Sequence, residues 1–373
     1  MIRQVLLVCL VIMLVSGEKD YTDLVKSLKA NIEDKNGIFY HSAFNRLAYI
    51  SDTYGPRMWG SNALESVISE MAAMAQKEGF DNIRLEPVSN FTKWVRGRES
   101  LTLYSPRPTP QKLNVIGLGK TISGNVKADA IVFTSYDELE ANKDKIKGKI
   151  VDAEMFQRMQ ARGQKITLEL ILENELVPNT YSSNLVFEIK GGEKPDEILL
   201  MGGHIDSWDT GSQTGANDDG GGFITCFEAM RLLLRNGYRP KRTIRFIAWS
   251  DDLGSTKLLG FGYQGDPRGK EVVKSIANKY LGIINATLVN DDGGAVDTGP
   301  LFEKGVPTMT NQIVDNPSHD FYFTYHHSAG DSMTMMNADD LDSNVVGVAA
   351  MFFILADLDD TIPRTPASHL KTE

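Results

Sequence analysis

The segment Ile198-Leu-Leu-Met-Gly-Gly-His204-Ile-Asp206 is a continuous apolar run that ends in two glycines, a histidine and an aspartate. Such a run predicts a buried strand. Soon after it, Ala216-Asn-Asp218-Asp219-Gly-Gly-Gly222 leads into a segment with apolar residues at helical spacing, namely Phe223, Phe227, Met230 and Leu234. Because ligands in open α/β sheets bind beyond the carboxyl ends of the strands, we expect His204 to point into a site.

Strands and helices alternate on either side of this segment. From residue 185 onward, strands are predicted at 185–189, 198–201, 243–249 and 283–289, and helices at 221–236, 272–280 and 344–358. Continuous apolar strands between amphipathic helices are typical of a parallel sheet covered on both faces. The sequence therefore predicts an α/β fold with a doubly wound, mainly parallel sheet.

Four regions follow from the change of pattern along the chain. Residues 1–17 have the layout of a secretory signal peptide, with the apolar run 5–15 between Arg3 and small residues. Residues 20–77 carry helical patterns, and residues 18–98 are assigned to the amino-terminal part of the main domain. Short β-type runs and frequent turns at 99–183 predict an inserted β-rich module, and residues 184–373 form the rest of the main domain.

Composition limits the classes of protein to be considered. The 373 residues are 42% hydrophobic and 24% charged, as in ordinary globular proteins with a sizeable core. Removal of residues 1–17 takes away one arginine and no acid, which moves the net charge from −10 to −11. This acidic balance does not favour a nucleic-acid partner. The apolar run 5–15 is too short to span a bilayer, so we expect no transmembrane segment after signal cleavage.

The sequence also bears on the secretory pathway. Cys9 falls in the signal region and leaves Cys226 alone in the mature chain, so no intrachain disulfide is expected. We interpret Cys226, within an apolar helix, as a small buried residue. Asn90-Phe-Thr and Asn285-Ala-Thr match the glycosylation pattern and predict modified asparagines in a secreted chain.

Three polar clusters offer ligands for a metal ion. They are His204 with Asp206, Asp218 with Asp219 before the helix, and the pair His326-His327 followed by Asp331. Histidine and aspartate suit zinc, and a helix N-terminus favours the ionised carboxylate that a metal requires. The alternatives are that an aspartate only caps the helix and that the histidine pair is solvated.

Other residues allow both a functional and a structural interpretation. Trp208 and Asp209 either line a substrate pocket or pack beside the sheet. Asp331 either positions His327 by a hydrogen bond or begins a helix. Arg57, in Gly55-Pro-Arg, either faces a substrate carboxylate or, as we favour, forms a salt bridge with the acidic body of the protein.

The chain resembles the M28 zinc metallopeptidases over almost its whole length. The motifs that carry the resemblance are Gly202-Gly-His-Ile-Asp-Ser-Trp-Asp209, Asn217-Asp-Asp-Gly-Gly-Gly222, Arg239-Pro-Lys-Arg-Thr-Ile-Arg245 and His326-His-Ser-Ala-Gly-Asp-Ser-Met-Thr334. Shorter matches occur at 55–57, 94–100, 136–139 and 305–307.

This resemblance implies a glycosylated zinc exopeptidase of the extracellular space or lysosome, acting on dipeptides or small peptides. It also implies a PA-like inserted module, here truncated, two zinc ions in the site, and compatibility with a homodimer. Carried over to this chain, His204 binds one zinc, Asp218 bridges both and His327 binds the other. Asp206 and Asp331 support these ligands. In the family a glutamate deprotonates a water shared by the two metals.

The chain departs from the family where the glutamate is expected. The family continues from the strand's tryptophan into Ala-Glu-Glu-x-Gly and later supplies a ligand in Glu-Ser-Asp-x-Gly, whereas residues 249–255 here read Trp-Ser-Asp-Asp-Leu-Gly-Ser. In one alignment Asp251 and Asp252 are shortened versions of the glutamate pair, with Asp251 as the base. In the other, which we favour, Asp252 is the later aspartate ligand and the glutamate pair is absent. Residues 148–152 show a similar join, so two internal deletions are predicted.

Two hypotheses about function follow from this departure. One metal ion keeps His204, Asp218 and Asp252, whereas the second keeps only Asp218 and His327. Loss of a general base costs about 10²- to 10⁴-fold in rate, so we expect a secreted zinc exopeptidase with impaired activity. The alternative is a catalytically inactive binding protein of the same fold, or a non-functional isoform. A one-zinc transferase of this fold is disfavoured because it also needs a glutamate at the missing place.

Overall fold

The computed structural model describes residues 19–133, 135–145, 150–152, 155–249, 256–294, 298–314 and 324–364. The predicted signal region 1–17 and both candidate residues Asp251 and Asp252 lie outside the described residues.

Three helices come first, a mainly β region follows, and strands and helices are interleaved from residue 194 onward, as expected. The helices are α1 Thr22–Glu33, α2 Ser42–Tyr54, α3 Asn62–Glu78, α4 Tyr136–Ala141, α5 Met155–Ala161, α6 Gly221–Arg235, α7 Pro267–Tyr280, α8 Gly299–Phe302 and α9 Ala338–Asp357. The strands are β1 Asp81–Val95, β2 Glu99–Ser105, β3 Gln111–Leu113, β4 Gly124–Val132, β5 Ile150–Asp152, β6 Thr167–Leu172, β7 Glu175–Ile189, β8 Lys194–His204, β9 Arg242–Trp249, β10 Leu258–Gln264, β11 Leu288–Asn290 and β12 Thr308–Ile313. None of the described helices is long and apolar enough to cross a membrane.

The predicted α/β class is confirmed, and the described ladders are mixed in direction. The main sheet has the order β1-β7-β9-β8, with β8 and β9 parallel and the other two pairs antiparallel. The antiparallel pairing of β1 with β7 follows from the inserted module. Because β1 leads into the module and β7 leads out of it, the two strands run side by side in opposite directions.

The inserted module has its own sheet, in the order β3-β2-β6-β4-β5. Its separate apolar core includes Leu103, Phe156 and Leu168, all buried. The sheet ends with β6 at Leu172, and β7 already pairs with β1 from Glu175 onward. A strand of the main sheet therefore begins before residue 184, where the sequence placed the end of the module.

Helix α6 lies at the centre of the main core. Every residue from Gly221 to Leu233 is buried, because α6 packs against β8, α2 and α9. Aromatic rings of β7, β9 and α6 meet beneath the helix, with centroids 4.5 Å apart for Phe187 and Phe246 and 5.6 Å for Phe187 and Phe227. This packing fixes the start of α6 against the end of β8.

A cavity of about 540 Å³ separates the main sheet from the sheet β11-β10-β12. Consecutive residues line it from β8, at 198–202, and from β12, at 308–311. Since side chains alternate between the faces of a strand, consecutive lining residues mean that the edges of both strands face the cavity. The two sheets are therefore not joined through β8 and β12.

Candidate metal centre

The site begins where β8 ends. His204 is the last residue of β8 and lies opposite Trp249 in the parallel ladder. An added Cβ at Gly203 would lie 2.3 Å from Asp219 Oδ2 and 2.9 Å from the Phe223 amide nitrogen. Glycine at this position therefore allows the start of α6 to approach the strand. The irregular turn Ala216–Gly220, immediately before α6, consequently lies beside His204.

Asp218 is the centre of the cluster. Its Oδ1 lies 2.9 Å from His204 Nε2, and its Oδ2 lies 3.3 Å from His327 Nε2 and 3.5 Å from His326 Nε2. The side chain of Asp218 is 3% exposed, whereas that of His327 is 45% exposed. A buried carboxylate thus has imidazole rings on both oxygens at the edge of solvent.

The second nitrogen of His204 is oriented by Asp206. Nδ1 lies 2.8 Å from the Asp206 carbonyl oxygen and 3.3 Å from its Oδ1. A proton on Nδ1 leaves Nε2 directed at Asp218. Burial alone would lower the pKa of His204, but hydrogen bonds with Asp206 and Asp218 outweigh it and raise the pKa well above the ordinary value. A metal ion would have to displace a proton that is firmly held there.

The two adjacent aspartates have different contacts. Asp219 Oδ1 accepts a hydrogen bond of 3.0 Å from the Gly222 amide, as a helix-capping carboxylate does. Asp218 instead faces the histidines. The capping contact therefore occurs for Asp219, while Asp218 stays a predicted metal ligand.

Asp331 holds the backbone around Asp218. Its fully buried carboxylate accepts hydrogen bonds from the amides of Asn217, at 2.7 Å, and Asp218, at 3.3 Å, and from Gln213 Nε2 at 3.2 Å. Burial raises the pKa of Asp331, although the Asn217 amide opposes the shift. The sequence linked Asp331 to His327, whereas these contacts link it to the Asp218 turn.

Three other candidates lie around the cluster. Trp208 is 37% exposed, and its ring lies 5.2 Å from that of His327. Asp209 forms an ion pair with Arg96, Nε to Oδ2 at 3.0 Å. Arg57 is fully buried, and its side-chain hydrogen bonds in the described structure go to backbone carbonyl oxygens rather than to the carboxylates we favoured. Its guanidinium therefore cannot face a substrate.

The donor atoms fit a metal ion. One ligand atom each from Asp218, His326 and His327 all lie within 4.8 Å of one another. The sequence predicts His327 as a metal ligand and assigns no such role to His326. The structure brings both rings together, with centroids 3.5 Å apart, because His327 takes a left-handed backbone conformation with φ of +53°. Neither the ring contact nor that conformation is evident from two consecutive histidines.

Comparisons with known proteins show which proteins this chain is similar to. The model of peptidase family M28 matches residues 184–252. Carboxypeptidase Q of Mus musculus is 28% identical over 428 aligned positions, which cover 88% of this chain and 88% of the mouse protein. Residues 184–252 therefore match family M28, and most of the chain is similar to carboxypeptidase Q. The resemblance predicted from the motifs, to M28 and within it to carboxypeptidase Q, is confirmed.

Solved structures share the M28 fold of this chain. A peptidase M28 precursor from Shewanella amazonensis has a TM-score of 0.75 at 21% identity and covers 92% of this chain and 99% of its own. A zinc aminopeptidase from Bacillus subtilis has a TM-score of 0.60 at 16% identity, with 86% and 98% covered.

The same comparisons bear on the deletions. The alignment with the mouse relative has 428 positions, more than the 373 residues of this chain, so it contains gaps on this chain's side. The family match ends at residue 252, beside the join predicted from the sequence.

Proposed function

We propose that this M28 chain binds zinc through Asp218, His204 and His327, and that it is a secreted exopeptidase of impaired activity. The observation that carries the proposal is the position of Asp218, whose two oxygens face different histidines at 2.9 Å and 3.3 Å. A carboxylate placed in this way can bridge two cations. Bound zinc would act as a Lewis acid and lower the pKa of a water molecule.

The chain's own residues have separate tasks in this proposal. Asp206 holds the ring of His204 so that Nε2 is available, and Asp331 accepts hydrogen bonds from the Asn217 and Asp218 amides within the turn. Trp208 supplies an exposed apolar surface beside His327 for a substrate side chain. Dipeptides and small peptides are the proposed substrates, and the name of the mouse relative, a carboxypeptidase, supports a peptide substrate.

Metal binding is tested first with Zn²⁺ alone. Protein stripped with a chelator is titrated with Zn²⁺ by calorimetry, and the Asp218→Asn variant is expected to bind at least about 100-fold more weakly. Asp357→Asn is the matched control, because Asp357 is also buried, at 4%, but pairs with Lys19 and Tyr21. Equal affinity in all three proteins would contradict the assignment of Asp218.

Activity is tested separately on zinc-loaded protein with a seryl-methionine dipeptide. We expect turnover about 10²- to 10⁴-fold below that of mouse carboxypeptidase Q, because the general-base glutamate is absent. Turnover equal to that of the mouse protein would overturn the impairment. A protein that neither binds zinc nor turns over the peptide would instead be a non-catalytic member of the family.

Secretion is tested through glycosylation. Asn90 and Asn285 are both exposed, in left-handed backbone conformations with φ of +66° and +58°, so a transferase can reach their amides. Protein from secreting cells should lose mass on treatment with an N-glycosidase, and Asn90→Gln and Asn285→Gln should each remove one step. If protein in the medium carries no glycan, secretion is still supported, but glycosylation at Asn90 and Asn285 is excluded.

A further inference from the structure

Arg57 connects the two segments that carry the candidate ligands. Its Nε donates to the Ile205 carbonyl at 2.8 Å, and Nη2 donates to the Gly215 carbonyl at 2.9 Å. Nη1 donates to the Thr214 carbonyl. Ile205 lies between His204 and Asp206, whereas Thr214 and Gly215 precede the Asp218 turn. One planar guanidinium therefore links the end of β8 to the start of that turn.

The backbone of Arg57 adds to this link. Its amide donates to Ser207 Oγ at 2.9 Å, and its carbonyl accepts from the Ser207 amide at 3.1 Å. Arg57 and Ser207 are 0% and 3% exposed. The planar guanidinium of arginine holds its N–H donors in a fixed arrangement, so it loses little conformational entropy when it binds several fixed acceptors. The ammonium group of lysine lacks this arrangement, so arginine suits this geometry better.

The charge of Arg57 lies among carboxylates. Burial lowers its pKa to about 10, and attraction to Asp206, Asp331, Asp219 and Asp218 opposes that shift. Arg57 therefore remains a cation at neutral pH. Its positive charge offsets the repulsion between these acids, but it would also repel a metal cation.

We infer that Arg57 is a positioning residue that holds His204 and Asp218 at the separation a shared metal site requires. This inference rests on the proposed zinc site. It predicts that the hydrogen-bonding fork matters more to metal affinity than the charge. A substitution that removes both the guanidinium hydrogen bonds and the positive charge of Arg57 should therefore still weaken Zn²⁺ binding.

The test compares Arg57→Lys and Arg57→Met with Arg242→Lys. Arg242 is also almost fully buried, at 1%, and donates to the Leu358 and Asp359 carbonyls. It begins β9, seven positions before the partner of His204, so it lies about 23 Å from the site along the strand. Both lysine variants should lower the melting temperature measured in chelator, which makes Arg242→Lys a control for general destabilisation.

Zn²⁺ affinity by calorimetry separates the two roles. We expect Arg57→Lys and Arg57→Met to weaken Zn²⁺ binding by about 10- to 100-fold, and Arg242→Lys to leave it unchanged. The visible spectrum of bound Co²⁺ should change only in the Arg57 variants. Unchanged affinity in Arg57→Lys, or tighter binding in Arg57→Met, would overturn the inference.

A milder variant tests the inference if the Arg57 variants do not fold. Ser207→Ala removes the acceptor of the Arg57 amide and should weaken Zn²⁺ binding by a few-fold with a small loss of stability. Wild-type affinity in Ser207→Ala would overturn the inference when no Arg57 variant folds. If the wild-type protein itself binds no Zn²⁺, the proposed function fails, which is a distinct result.

Discussion

Each buried aspartate of this protein has properties set by the groups that face its two oxygens. Asp218 faces histidines on both oxygens, whereas Asp219 caps α6. The sequence places the two acids side by side and offers both roles to each of them. Only the direction of each side chain, set by the irregular turn Ala216–Gly220, distinguishes them.

Asp342 of α9 shows the effect of a carboxylate with few partners. It is 6% exposed, and Oδ2 accepts a hydrogen bond of 2.9 Å from the His41 amide. Among the described residues Oδ1 has no hydrogen-bond partner. Burial raises the pKa of Asp342 to about 6, with Asp339 and Glu228 adding to the shift and the His41 amide and ring opposing it.

We predict a pH-dependent gain in stability for Asp342→Asn. The folded-state pKa lies above the unfolded value, so ionised Asp342 destabilises the fold above about pH 6, and this cost disappears as the pH falls toward 4. The variant should raise the free energy of unfolding by about 2 kcal/mol at pH 7.5 and by almost nothing at pH 4. Urea unfolding at both pH values measures the difference. An equal effect at both values would rule out ionisation as the cause.

At the scale of elements, the contact between β8 and α6 controls the site. Gly203 and Gly222 both lie against the carboxylate of Asp219, where an added Cβ would come within 2.3 Å and 2.1 Å of an oxygen. The family motif contains both glycines, and the structure gives the physical reason for them. A side chain at either position would push the helix away from the strand.

Gly203→Ala should therefore impair both stability and metal binding. The added methyl group has no space against Asp219 and the Phe223 amide, so we expect a loss of about 1–3 kcal/mol and weaker Zn²⁺ binding. Gly192→Ala is the control, because an added Cβ there would lie 3.8 Å from the Pro240 carbonyl oxygen, an ordinary van der Waals distance. Chemical unfolding in chelator, followed by Zn²⁺ calorimetry, compares the two. Wild-type behaviour of Gly203→Ala would show that α6 can shift without cost.

The helices predicted at 221–236, 272–280 and 344–358 all occur, with shifted ends, whereas one predicted strand does not form as expected. The predicted strand at 283–289 is wrong. Its first half forms a 3₁₀ helix, Leu281–Ile284, and only Leu288–Asn290 pairs as β11. Asn285 has φ of +58°, which ends the helix and redirects the chain. A short apolar run does not reveal such a turn, because its hydrophobic pattern suits both conformations.

At the scale of the whole molecule, a cavity of about 540 Å³ leaves an edge of the sheet β11-β10-β12 without a paired strand among the described residues. Strand β9 lies between β7 and β8, whereas β12 lies at an edge that faces the cavity. Amides on an open edge exchange through local openings that cost less than global unfolding.

We predict that the amides of β12 exchange with deuterium faster than those of β9. Hydrogen exchange with mass spectrometry, on metal-free protein at neutral pH, measures both strands in one experiment. Strand β7, which is also paired on both sides, is the internal reference and should match β9. Equal protection of β12 and β9 would mean that the cavity does not separate the sheets in solution.

The amino-acid sequence by itself determined the α/β class and the resemblance to peptidase family M28, and it predicted the candidate ligand types, because apolar periodicity and motif spacing are local properties of the chain. The tertiary structure decided the direction of pairing of β1 and β7, the approach of His326 and His327 to Asp218, and the burial of Arg57 between two segments that carry candidate ligands. These features depend on contacts between residues far apart in the chain. Hydrogen bonds from one guanidinium to the carbonyls of residues 205, 214 and 215 leave no local pattern from which they could be read.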